Sequence, residues 1–296
     1  MQTITFSCKI ISPMFIAGAD GNKPELRPPG FKGVLRFWWR ALNFQYNLND
    51  LKRHEAYIFG GVETNTRSHV IMRVPFKTYK TGKFPMLPHR KDTGGNPSEK
   101  EAIMSGETFT ISFTITQETH IKAAYLQALF EFVALVGGVG KRSRRGMGAF
   151  TITHINGQPY TPPATLQAIQ TLLQKLTPHF TLQDNRYIYN TISGGTASYP
   201  YLRLLHLSQT GNANWEVLTK KIGRVTHELK KKNALAYEPS LGHADRGRFA
   251  SPVIASLTQV GNQNRIITAT LNTVPDRDRN KISLSLQEDF RNNVLN

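Results

Sequence analysis

The apolar residues of the first half change period in a set order, and that order limits the fold more than any other feature of the chain. Thr3 to Ile11 reads TITFSCKII, with Ile4, Phe6, Cys8 and Ile10 on one face, the pattern of a half-buried strand. Pro13, Gly18, Gly21, Pro24, Pro28 and Pro29 then break regular structure. From Phe31 to about Leu48 the spacing becomes helical, with Val34, Trp38 and Leu42 recurring every fourth residue. Ser68–Phe76 and Glu107–Thr116 alternate as strands, separated by a polar stretch from Lys77 to Gly106 that suits either a loop or a partner-binding insertion. Ile121, Tyr125, Ala128, Phe132 and Leu135 form a helical stripe, and Ala149–Ile155 returns to strand.

The resulting strand, helix, strand, strand, helix, strand order is that of the ferredoxin-like (RRM-like) split unit. Such a unit packs two helices on one face of a four-stranded sheet and leaves the other face for a ligand such as RNA. With 296 residues there is room for a second domain of ordinary size. PYTPP, at 159–163, supplies Thr161 as a helix cap with prolines behind it, ahead of Leu166, Ile169, Leu172 and Leu176 on one side. Pro200–Ser208 reads as a strand, Trp215–Lys232 as a helix, and Ser251–Val260 with Arg265–Thr273 as a hairpin around Gly261 and Asn262. The expected fold is α+β, with two tandem ferredoxin-like βαββαβ domains at 1–158 and 159–296, the second divergent.

Charge narrows the partners. Against 37 Lys and Arg stand 20 Asp and Glu, a net charge of +17, so the surface attracts polyanions, nucleic acid first among them. Cys8 is the only cysteine, which excludes an intrachain disulfide and zinc sites of the multi-cysteine kind. No run reaches the roughly 18 apolar residues of a membrane span, and the N-terminus lacks the layout of a signal peptide. The expectation is a soluble, cytoplasmic protein with no membrane partner.

The densest chemistry lies in GGVGKRSRRGMGAF, Gly137 to Phe150, where five glycines surround Lys141, Arg142, Arg144 and Arg145. Glycines allow left-handed backbone and close approach of N–H groups to an anion, and arginine adds bidentate geometry for phosphate. An ATP-type P-loop does not fit. Arg142 replaces the Ser or Thr, Leu135 replaces the first glycine, and the segment leads from helix to strand. A second basic element is the helix after Pro29, where Lys32, Arg36 and Arg40 recur at every fourth residue and can track a sugar-phosphate backbone. Phe37, Trp38 and Trp39 are consecutive and cannot share one face; Trp38 is expected in the core, and an exposed ring among them can stack on a base. Between Trp215 and Lys232, an apolar stripe of Leu218, Ile222, Val225 and Leu229 opposes a basic one of Lys220, Arg224, His227 and Lys231.

FIAGADGNKPELRPPGFKGVLRFWWRAL, Phe15 to Leu42, together with the glycine-rich segment resembles the RAMP superfamily of CRISPR systems. Within it the chain is similar to the family of first subunits of type III-B (Cmr) effector complexes. The resemblance covers about the first half; in the second, only Leu241–Val253, LGHADRGRFASPV, matches, and loosely. It implies paired ferredoxin-like domains and a role in guide-RNA-directed antiviral defence, capping the filament near the 3′ end of the guide. The implied partners are CRISPR guide RNA, complementary target RNA and the other Cmr subunits. The implied RNA-binding residues are Gly137, Gly138, Gly140, Lys141, Arg142, Ser143, Arg144, Arg145, Gly146 and Gly148. Arg27, Lys32, Arg36 and Arg40 follow from the first motif, and Arg246 and Arg248 from the third.

No motif calls for catalysis, a metal or a cofactor. The nine histidines are scattered, Asp20 suits a turn between Gly18 and Gly21, and HExxH and GxSxG are absent. The alternative to an RNA-holding subunit is a RAMP endoribonuclease that processes guide precursor by histidine acid-base chemistry.

Overall fold

The computed structural model describes residues 1–296 apart from 19, 22, 64, 94–97, 193–198, 234–238, 244–248 and 273–281. In chain order the first half contains β1 (Gln2–Ile10), α1 (Pro28–Leu42), α2 (Leu48–Phe59), β2 (Val70–Arg73), β3 (Thr81–Pro85), β4 (Glu99–Ile103), β5 (Thr108–Ile115), α3 (Ala123–Val136), β6 (Phe150–Ile155) and β7 (Gln158–Pro159). The second half contains α4 (Leu166–Gln174), β8 (Phe180–Gln183), β9 (Tyr187–Asn190), β10 (Tyr201–Asn212), α5 (Trp215–Lys232), β11 (Val253–Val260), β12 (Gln263–Asn272) and α6 (Leu284–Leu295).

Each half owns one antiparallel sheet. The first has the order β2-β5-β1-β6-β7, with Phe6 paired to Ile111 on one side and to Ile155 on the other. The second has the order β11-β12-β10-β9-β8. Helix α3 touches β1 and β6 of the first sheet and β11 and β12 of the second, while α1 touches β2 and β10. The molecule is therefore layered as sheet, helices, sheet, helices, with α5 and α6 on the far face of the second sheet. This placement explains the composition of α3. A helix with one sheet needs one apolar stripe; α3 meets two and is buried from Leu126 and from Ala128 through Val136. Its one charged group, Glu131, accepts hydrogen bonds from Gln127 Nε2 (2.8 Å) and the Tyr160 hydroxyl (3.1 Å). Phe130 of α3 sits among Phe6, Phe31, Phe113 and Phe150, with ring centroids 4.6–6.5 Å away.

Several boundaries differ from expectation, each for a local reason. Helix α1 starts at Pro28 and ends at Leu42, because the Asn43 side chain donates to the Trp39 carbonyl (2.7 Å) and terminates the last turn. A separate helix, α2, follows, capped by Asn47, whose side chain accepts from the Asp50 N–H (2.9 Å). Likewise Thr165, not Thr161, caps α4, accepting from the Ala168 N–H. Periodicity does not reveal the hairpin β8–β9 or helix α6. The hairpin turns through Asp184 and Asn185, both with positive φ, and Arg186, whose N–H donates to the Gln183 carbonyl (2.8 Å), with Gln183 paired to Tyr187 across the turn. The helix α5 and the hairpin β11–β12 lie where the sequence pattern puts them.

The described residues of the polar stretch 77–106 form a folded arm. Its hairpin β3–β4 places Phe84 edge-on to Trp215 (6.0 Å), and Met86 joins Phe15, Ala102 and Met147 in a small apolar cluster. A 3-10 turn, Pro88–Thr93, then lies on α5, where His89 is 6% exposed and sits over Gly223. Any Cβ at position 223 collides with the His89 imidazole. We expect Gly223→Val to destabilise the protein by about 1–3 kcal/mol through overpacking. In urea melts, the added substitution His89→Ala should recover part of that loss; additive losses would show that the arm does not rest on α5.

Candidate nucleic-acid interface

The glycine-rich segment does not form an open cradle. It leaves α3 at Gly137, folds back on itself and runs against the turn that follows β1. The Val139 N–H donates to Gly148 O (3.0 Å), Lys141 N–H to Phe15 O (2.9 Å), Gly148 N–H to Pro13 O (3.0 Å) and Ala149 N–H to Ser12 Oγ (3.1 Å). Arg142 O takes the N–H groups of Arg145 and Met147, and Gly137 O accepts from Ser256 Oγ in the second half. Gly148 has φ +68°, and a side chain there would strike the Val139 carbonyl. A Cβ at Gly138 would meet Met147 O and one at Gly140 would meet Phe15 O, while Gly146 lies more loosely against the side chains of Ile222 and Thr219 of α5. The Gly148 N–H is taken up by the Pro13 carbonyl and is not aimed at an anion, and at Gly138, Gly140 and Gly148 the missing Cβ lets backbone pack on backbone.

Two of the four cations in the segment reach across to the second half. Arg145 donates to the carbonyls of Val253 (2.8 Å), Leu241 (3.0 Å) and Arg144 (2.9 Å) and to Ser251 Oγ (3.0 Å), with its guanidinium 5.2 Å from the Phe290 ring centroid. Arg144 donates to Ser251 O (2.5 Å) and lies over Phe37 (5.1 Å); burial, then the neighbouring Arg145, pulls its pKa below the usual arginine range. The Arg144 carbonyl accepts from Ala255 N–H, adding one rung of parallel pairing to β11. Arg142 takes the strained left-handed φ of 64°. Lys141 is exposed and borders a separate cavity of about 220 Å³ that also includes Glu99 and Glu101.

The first motif builds a groove. Lys32 and Arg36 on α1, Lys52 on α2 and Arg67 before β2 line a cavity of about 920 Å³, floored by Ala56, Phe59 and the Gly60–Ser68 turn. A second cavity of about 500 Å³ shares Lys32, Arg36, Arg67 and Ser68 and continues past Pro28, Gly33 and Met72. Together they form one trough along the outer side of α1. Arg36 and Arg40 are not independent cations: Arg36 Nε and Arg40 Nη1 both contact Glu55 Oε1 at 2.5 Å, and Glu55 is 5% exposed. A shared carboxylate holds both side chains against α2 and cancels one of their charges. Burial, then Arg36, lowers the Lys32 pKa from its ordinary value. Arg27 is exposed, 3.9 Å from Glu25.

Gly33 also borders a cavity of about 150 Å³ with Phe37, Gly137, Gly138, Ser143 and Arg144, so the two motifs meet across it. Trp38 and Trp39 are both in the core, 1% and 3% exposed, against Phe132 and Phe59, which removes them as base-stacking rings. Lys52 and Arg67 escape sequence reading, since they belong to no stripe or glycine-flanked run; only the paired Gly60 and Gly61 hint at a turn. Asp20 accepts from the Lys23 N–H (3.1 Å), a turn contact. Arg246 and Arg248 lie outside the described residues. Among the described residues no group of three His, Cys, Asp or Glu side chains is placed to hold a metal, and no helix is long and apolar enough to cross a membrane.

The RAMP superfamily model matches residues 7–151. The chain is 28% identical to the CRISPR system Cmr subunit Cmr1-2 of Pyrococcus furiosus, over 51% of this chain and 96% of that protein. It is 30% identical to Cmr1-1 of the same organism, over 46% of this chain but only 43% of that one. Among solved structures, the apo crystal structure of Cmr1 from Pyrococcus furiosus superposes with a TM-score of 0.66 at 18% identity, covering 100% of this chain and 97% of the other. A chain of the type III-B Cmr-beta complex bound to cognate target RNA gives 0.62 at 12% identity, covering 99% of both. These two likenesses establish the fold.

Arg145 and Lys141 should separate structural from exposed cations of the loop. Arg145→Ala is expected to cost about 3 kcal/mol by leaving several carbonyls unpaired, and Lys141→Ala no more than about 0.5 kcal/mol, both read from denaturant midpoints. Equal effects would remove Arg145 from its bridging role.

Proposed function

We propose that the chain, whose residues 7–151 match the RAMP superfamily, is a member of it and a non-catalytic RNA-binding subunit of a type III-B (Cmr) CRISPR ribonucleoprotein. In this reading it caps the filament near the 3′ end of the guide RNA and assists capture of complementary target RNA, in contact with other Cmr subunits. The curated relatives it matches are Cmr1 subunits, a solved Cmr1 shares its fold over the whole chain, and the RNA-bound complex whose chain shares this fold is a Cmr assembly. The observation that carries the proposal is the trough along α1. Lys32, Arg36, Lys52 and Arg67 line it with a single buried carboxylate, Glu55, and one further acid, Glu63, in a chain of net charge +17. A basic trough of this kind holds phosphates and leaves base reading to the guide.

Both halves are proposed as ferredoxin-like units divided near residues 158 and 159. In the first, the spatial order β2-β5-β1-β6 with α1 and α3 on one face supports that assignment. In the second, β10, α5, β11, β12 and α6 follow the same chain order, while the edge beside β10 is taken by β9, a strand that precedes them. The second unit is thus a permuted version, with its closing strand supplied from the N-terminal side.

A salt series of fluorescence anisotropy with labelled single-stranded RNA tests the function. Replacing Lys32, Lys52 and Arg67 with alanine should weaken binding and flatten the plot of log affinity against log salt by about 0.7 for each phosphate that is no longer neutralised. Denaturing gels of the same samples should show uncut RNA. An unchanged slope would exclude the trough, and specific cleavage would favour the endoribonuclease.

A further inference from the structure

A second cationic site lies on the opposite half, at the edge of the sheet face covered by α6. Tyr189 of β9 stands opposite Leu204 of β10, and Tyr187, two residues earlier, stacks on His206 with ring centroids 5.3 Å apart and planes 28° apart. Tyr187 and Tyr189 contact each other edge to face at 6.1 Å. Both tyrosines are partly exposed, so the aromatic row opens to solvent.

Above this row sits an electrostatic imbalance. Arg291 of α6 is 8% exposed, and its hydrogen bond goes to Thr270 Oγ1 at 3.4 Å, near the limit for such a bond. A guanidinium withdrawn from water needs strong acceptors or a counter-charge. Among the described residues neither Arg291 nor Arg203 has a carboxylate within ion-pair distance; burial lowers the Arg291 pKa most, Glu288 partly opposes it, and Arg203 adds a smaller lowering. His206 adds no charge, because burial, then Arg291, pushes its pKa down to about 4. Its imidazole is therefore a neutral ring at physiological pH, extending the aromatic surface beneath two arginines.

Two guanidiniums with no carboxylate at ion-pair distance among the described residues, beside a solvent-facing aromatic row, match the two halves of a nucleotide, an anionic phosphodiester and a flat base. We propose that this notch is a second RNA contact, which holds one nucleotide of single-stranded RNA with its phosphodiester at Arg203 and Arg291 and its base on Tyr187. The choice of RNA as the polymer rests on the function proposed above; the need for an anion rests on the notch itself. The trough on the first half engages backbone alone, whereas this site adds base stacking and gives the strand a fixed point.

The test uses the full chain with an oligouridylate carrying 5-iodouridine, photocrosslinked at low salt and mapped by peptide mass spectrometry. The crosslink is expected at Tyr187 or Tyr189. Tyr187→Ala and Arg203→Ala, both at partly exposed positions, should leave the thermal melt in place and each raise Kd about fivefold or more. Crosslinks confined to 28–72, with affinity unchanged in both variants, would overturn the notch and leave the trough standing. Crosslinks at Tyr187 that persist when Lys32, Lys52 and Arg67 are alanine would support the notch, and an affinity unchanged in that variant would count against the trough. Absence of RNA binding at low salt would overturn both, and displacement by micromolar uridine monophosphate would replace the polymer by a free nucleotide.

Discussion

Burial of α3 between two sheets is the constraint on which the remaining architecture depends. A helix covered on both sides gives up its polar face, and α3 does so, leaving only Glu131 among its buried positions to be satisfied by Gln127 and Tyr160. Because the helix is enclosed, the chain that leaves it at Gly137 has little room and must thread between the turn after β1, helix α5 and strand β11. Small residues and internally satisfied peptide groups follow from that confinement.

The same confinement joins the halves. Arg145 and Arg144 carry polar contacts from the loop to Leu241, Ser251 and Val253, and the arm from β3 to the 3-10 turn grips α5 from the other side. Apolar contacts are continuous as well, for one core cluster includes Phe6 and Phe150 of the first sheet with Ile254 and Leu271 of the second. With the halves fastened in this way, the trough along α1 and the notch beside α6 are held at fixed separation. A rigid spacing of cationic sites suits a protein that tracks a polymer.

Glycine and arginine in the same short segment thus serve two ends. Read alone, GGVGKRSRRGMG matches an anion cradle as well as it matches a packed joint, since both require close backbone approach and many donors. What distinguishes them is the identity of the acceptors, which here are protein carbonyls supplied by residues about a hundred positions away. The basic stripe of α1 shows the same effect in a milder form: its spacing is helical as expected, but Glu55, on a helix that periodicity does not separate from α1, takes two of its three members.

By itself the sequence determined those features that depend on neighbours along the chain: the strand β1, the helix α5 with its buried stripe, the hairpin β11–β12, the α+β class, the basic surface and the family motifs. Local periodicity suffices there, because a strand or helix with one buried face writes that face into its spacing. Tertiary structure alone decided that α3 is covered twice, that Trp39 is buried, that β9 fills the edge beside β10, and that Arg145 bridges the halves while Lys52 and Arg67 line the trough. Each of these depends on a partner far away in sequence, and the energy of a buried charge or carbonyl is set by what faces it.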